Sequence, residues 1–79
     1  MKAQVFVKLK KSVLDPQGKA ILGSVHSMGF ADVAEVRQGK VFDVELGTND
    51  AAKAKEVLEQ ISQKLLANTV IEDFEVKLL

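Results

Sequence analysis

At 79 residues the chain has room for one small domain, a single unit over residues 1–79. It has no cysteine, one histidine and 11 basic against 11 acidic residues, which excludes disulfides and thiolate metal sites and disfavours nucleic acid as a partner. No run approaches the roughly 18 apolar residues of a membrane span, and Lys2 and Lys8 interrupt the first apolar stretch too early for a signal peptide. The expectation is a cytoplasmic protein without a membrane partner. Its core must be thin, because a domain this small buries only about 60% of its unfolded surface, and oligomerisation is the expected source of further stability.

Ala3, Val5, Val7 and Leu9 alternate with Gln4, Phe6, Lys8 and Lys10, the period-two pattern of a strand with one buried face. Asp15-Pro16 then predicts a helix start, since the carboxylate can accept from first-turn amides and proline fits where no donor is needed. Ile21, Val25 and Met28 follow at helical spacing, and Gly29 suits the left-handed residue that ends a helix. A second strand is expected over Val33 to Arg37, with Gln38-Gly39 as a tight turn into a third strand from Lys40 to Leu46. There Phe42, Val44 and Leu46 alternate with Val41, Asp43 and Glu45. Gly47-Thr48-Asn49-Asp50 is turn and cap chemistry. In the helix that follows, Ala54, Leu58, Ile61 and Leu65 share a face, with Val57 beside them and Asn68 at the exit. A last strand runs from about Val70 to Leu78, with Phe74, Val76 and Leu78 on one side. The order β-α-β-β-α-β predicts an α+β, ferredoxin-like fold: a four-stranded antiparallel sheet, order 4-1-3-2, with both helices on one face.

No residue constellation for catalysis emerges. His26 has only Ser24, Ser27 and Lys19 close on its own helix, so it reads as a surface histidine. Asp73 and Glu75 share a strand face with no reason for their acidities to separate, and Glu72 points to the other side. Gly39-Lys40 lacks the rest of a phosphate-binding loop. Arg37 and Lys40 flank the expected turn and can grip an anion or a partner's acidic group.

The open sheet face is more informative. Alternation places Gln4, Phe6, Lys8 and Lys10 there, with Val41, Asp43 and Glu45 from one neighbouring strand and Ile71, Asp73, Glu75 and Lys77 from another. Phe6 is the lone aromatic and carboxylates flank it, which argues against RNA. Mixed charges around Phe6, Val41 and Ile71 suit a protein partner, including a second copy across a two-fold axis. Candidate interface residues are therefore Phe6, Val41, Ile71, Arg37, Lys40, Asn68 and Thr69; no catalytic, cofactor-binding or metal residue is expected.

Three segments carry a resemblance: Val13-Leu14-Asp15-Pro16-Gln17-Gly18, Val36-Arg37-Gln38-Gly39-Lys40, and Lys64-Leu65-Leu66-Ala67-Asn68-Thr69-Val70-Ile71-Glu72-Asp73-Phe74. With their spacing kept over the whole length, the chain resembles the PurS family, small subunits of multi-chain phosphoribosylformylglycinamidine synthase. The stretch Ala51 to Gln63 agrees only in its helical pattern. The resemblance implies a non-catalytic subunit in de novo purine biosynthesis that forms dimers or tetramers and bridges a large synthetase and a glutaminase. It places ATP and magnesium on the large partner and no cofactor on this chain. An ACT-like regulatory domain shares the expected element order, but its usual glycine after the first strand is missing from the loop Lys10 to Asp15.

Overall fold

A computed structural model describes residues 1–79. Strand β1 (Lys2–Leu9) leads to helix α1 (Pro16–Ser27), strand β2 (Gly39–Glu45), helix α2 (Ala51–Ile61) with a wider π turn over Ser62–Leu66, and strand β3 (Glu72–Leu78). β1 lies between the other two in an antiparallel sheet of order β2-β1-β3. In register, Val5 faces Phe42 and Val76, and Phe6 faces Val41 and Glu75.

The caps follow from side-chain chemistry. Asp15 accepts a hydrogen bond from the Gly18 amide at the start of α1, with Pro16 at the first helical position. Gly29, at φ 96°, closes that helix in the conformation open to glycine. Asp50 accepts from the amides of Ala52 and Lys53 at the start of α2.

The core is one-sided. Ala3, Val5 and Val7 from β1 meet Leu58 and Ala67, with Phe42, Val44, Phe74, Val76, Ile61 and Leu66 packed around them. Leu58, Val5 and Val7 are fully buried, each worth about 1.5–3 kcal/mol relative to exposure. The π turn changes which leucine belongs to this core. Widening the last turn by one residue brings Leu66 and Ala67 inward and turns Leu65 out, where it is 80% exposed. Ser62, buried in the same turn, donates its hydroxyl to the Leu58 carbonyl.

The α+β class holds, but the four-stranded ferredoxin-like sheet does not. Residues 33–38 pair with no strand and run without turn or bend into β2. The expected Gln38-Gly39 hairpin is absent, since only Gly29 has positive φ and Gly39 sits within β2 opposite Lys8. Two of the expected strands are thus one long extended segment whose first part lies beyond the sheet. The expected pairing of both helices on one face fails with it. Only α2 covers the sheet, no α1 residue packs into the core, and Gly18 is the one buried residue of α1. The last strand also starts later than expected, because Val70 and Ile71 belong to a turn.

Helix α1 and the segment returning from it therefore form an arm. The molecule measures 48 × 25 × 14 Å, and its radius of gyration of 15.8 Å exceeds the roughly 12 Å of a compact domain of this length.

Candidate functional site

The base of the arm is held by a buried carboxylate. Asp15, 3% exposed, accepts from the Gly18 amide at 2.9 Å and the Gln38 amide at 2.6 Å, joining the start of α1 to the start of β2. These backbone hydrogen bonds, Gly18 first and Gln38 second, hold its pKa below the ordinary aspartate range, and the nearby Arg37 charge adds to them against the opposing effect of desolvation. Arg37 Nη2 donates to the carbonyls of Lys10 and Val13 at 2.9 and 3.0 Å, strapping the loop after β1 to the returning segment. At the far end, His26 Nε2 lies 2.7 Å from the Val33 carbonyl, which accepts from it. The histidine thus closes the arm's tip.

Between α1 and residues 34–37 runs a groove of about 500 Å³ lined by Lys19, Leu22, His26, Glu35 and Arg37 among others. Its charges are mixed, and no serine, threonine or cysteine lines it. No three His, Cys, Asp or Glu side chains are placed to hold a metal ion.

On the open sheet face, Phe6 stands between Val41 and Glu75, and Gln4 donates to Asp43 across the strands at 3.0 Å. Val41 is half exposed. Ile71 lies just before the start of β3, its carbonyl accepting from the Lys10 amide. It occupies a turn that Asn68 organises: the Asn68 carbonyl accepts from Ile71 and Glu72, its side-chain oxygen accepts from Val70, and its own amide donates to the Glu72 carboxylate. This internal bonding leaves Thr69 exposed and Val70 80% exposed on a rigid corner.

Two of the expected interface residues also make contacts within the chain. Arg37 is spent largely on backbone carbonyls. Lys40 lies 3.9 Å from the Glu72 carboxylate and 5.7 Å from the centre of the Phe42 ring. Sequence reasoning read Asp15 only as a helix cap and missed its bond to Gln38. It also missed the exposed apolar surface of the arm, where Leu14, Ile21, Met28 and Phe30 are 42–71% exposed.

A family model described as "PurS: Phosphoribosylformylglycinamidine (FGAM) synthase" matches residues 2–79. The chain belongs to the PurS family. A PurS subunit from Methanocaldococcus jannaschii is 43% identical over 76 residues, 96% of this chain and 92% of that protein. The Bacillus subtilis PurS crystal structure is similar at 42% identity and TM-score 0.85, covering 96% of this chain and 94% of its own. A chain of the Thermotoga maritima PurLQS structure is 29% identical with TM-score 0.90, over 99% and 95% of the two chains. PurS proteins are subunits of phosphoribosylformylglycinamidine synthase, a ligase of purine biosynthesis.

The segments that carry the PurS resemblance have structural roles here. Asp15-Pro16-Gln17-Gly18 and Arg37-Gln38-Gly39-Lys40 meet at the base of the arm, and Lys64 to Phe74 supplies the end of the π turn, the Asn68 corner and the start of β3. Gly18 shows why the spacing is strict. A side chain there would run into the Val36 carbonyl and stand 2.6 Å from the Asp15 carboxylate. No helix of this PurS chain is long and apolar enough to cross a membrane.

Proposed function

We propose that this chain, a single unit over residues 1–79, is the non-catalytic small subunit of a multi-chain phosphoribosylformylglycinamidine synthase in the cytoplasm. It associates with itself as a dimer or tetramer and joins a large synthetase chain to a glutaminase chain. Ammonia released from glutamine then reaches the ATP-dependent amidation of formylglycinamide ribonucleotide without escaping to water. ATP and magnesium belong to the large chain in this reading.

The likeness to a chain of a PurLQS structure carries the proposal. The shape supports it. The accessible surface of 5794 Å² is about 1,100 Å² more than the roughly 4,700 Å² of a compact monomer of this mass, and a standard interface covers about 800 Å² per partner. A scaffold of this kind contacts its neighbours through Phe6 and Val41 on the sheet face and through Asn68, Thr69 and Ile71 at the corner, while Arg37 and Lys40 hold those surfaces in place.

Reconstitution tests the reading. With the synthetase and glutaminase chains supplied, adding this subunit should raise glutamine-dependent amidation strongly. It should leave amidation driven by added ammonium salts little changed. Equal glutamine-dependent rates with and without the subunit would refute the proposal.

A further inference from the structure

Arg37 stands at the base of the arm and Asn68 at the corner before β3, and no hydrogen bond joins the two residues. The backbone of Lys10 lies between them. Its carbonyl accepts from Arg37 Nη2 and from the Val13 amide, both at 2.9 Å, so the guanidinium closes onto a four-residue turn over residues 10–13. Arg37 Nη2 also reaches the Val13 carbonyl at the far end of that turn, at 3.0 Å. The Lys10 amide donates instead to the Ile71 carbonyl at 2.9 Å. From there the bonds continue into the corner. The Asn68 carbonyl accepts from the Ile71 and Glu72 amides at 3.0 and 2.7 Å, and the Asn68 amide donates to the Glu72 carboxylate at 2.7 Å. The other oxygen of that carboxylate lies 3.9 Å from Lys40 on β2, three residues beyond Arg37. The contacts thus close a ring: Arg37, Lys10, Ile71, Asn68, Glu72, Lys40 and back along the chain to Arg37.

We propose that this ring is a conformational coupling between the arm and the Asn68 corner, with the turn over residues 10–13 as its two-state element. Closed on Arg37, the turn holds the Lys10 amide against Ile71 and so fixes the corner. Open, it leaves the Lys10 and Val13 carbonyls without their charged donor and frees the Lys10 peptide to leave Ile71. The Arg37 and Glu72 side chains are 29% and 16% exposed, so water replaces their bonds only in part when they break. Fixing either end lowers the entropy still to be lost at the other, which makes the coupling positive. It is also reciprocal. Its consequence for assembly rests on the partner contacts proposed above: a chain held on the arm steadies Thr69, Val70 and Ile71 for a second chain at the corner, and the converse.

Arg37 is the only arginine, so its side-chain Nε–H gives one unambiguous NMR signal. Asn68→Ala removes the oxygen that accepts from the Val70 amide and touches no bond of the guanidinium. It should nevertheless shift the Arg37 signal and speed hydrogen exchange at the Lys10 and Val13 amides. Arg37→Met keeps most of the side-chain stem, removes the donors, and should speed exchange at the Lys10, Ile71 and Glu72 amides. In both variants the acceleration should exceed that of Val5 and Val7, buried at the centre of the sheet, by at least about tenfold. An unmoved Arg37 signal in Asn68→Ala would overturn the coupling. So would acceleration no greater than at Val5 and Val7, which marks general loosening of the fold. The Asn68→Ala measurement needs no folded Arg37→Met. Exchange reads the coupling in the full chain alone and reconstitution reads the partner contacts, so each can fail without the other.

Discussion

Two glycines of the same helix should respond to alanine in opposite directions. Gly23, in the middle of α1, has nothing within 4 Å of where an added methyl group would stand, so Gly23→Ala gains the helix preference of alanine, about 1 kcal/mol. Gly18 lies in the first turn, against the Val36 carbonyl and the Asp15 carboxylate. Neither neighbour can yield freely, because Asp15 is tied to Gln38 and Arg37 is tied to Lys10 and Val13. Making room means separating α1 from the returning segment, an overpacking cost of about 1–3 kcal/mol that outweighs the smaller propensity gain at a helix end. The two variants should therefore differ by about 2–4 kcal/mol. Urea unfolding followed by far-UV circular dichroism, at one fixed protomer concentration because assembly contributes to stability, measures that difference. In thermal unfolding, Gly23→Ala should raise Tm by about 4–8 °C. If Gly18→Ala is as stable as Gly23→Ala, the close contact at the base of the arm is not a constraint.

Leu58→Ala should cost about 2–5 kcal/mol in urea unfolding, since the side chain is fully buried, whereas Leu65→Ala, 80% exposed, should stay within about 0.5 kcal/mol; equal losses would refute the π-turn register. Asp15 has a folded-state pKa below its unfolded value, so its contribution to stability is present above about pH 4 and is lost as pH falls through the folded pKa. Asp15→Asn should flatten the acid limb of a stability-against-pH curve, and an unchanged acid limb would count against the carboxylate's role. Phe6→Asp should weaken assembly with partner chains in sedimentation of the reconstituted complex while leaving the circular dichroism spectrum intact. Undiminished assembly would place the contacts off the open sheet face.

The helix starts were readable because Asp15-Pro16 and Asp50 act through bonds to amides two or three residues away. The open sheet face was readable for a similar reason: a period of two survives in any paired strand, and the register of Phe6 with Val41 and Glu75 agrees with it. Leu65 was misassigned because a helical period assumes a constant turn, and one π turn shifts every later residue by a position. The false hairpin has a different cause. Alternation over Val33 to Arg37 signals extended chain, which that segment is, but it cannot say whether a neighbouring strand exists. Gln38-Gly39 fitted a turn, yet glycine is used there for close packing, with the Val7 carbonyl 2.8 Å from where a side chain would begin.

The sequence by itself determined the local chemistry: which segments are helical or extended, where the helices are capped, and which strand faces are apolar. Its three motif segments also pointed to the PurS family. Only the tertiary structure decided that Asp15, Gly18, Arg37 and Gln38 form one junction, that α1 leaves the sheet instead of covering it, and that Glu35 to Glu45 presents a free edge. These depend on contacts between residues about twenty apart or more in the chain. Local patterns encode the preference of each segment for a shape and for burial. Which surface satisfies that preference, the chain's own or another molecule's, is settled only when all the segments compete for the same core.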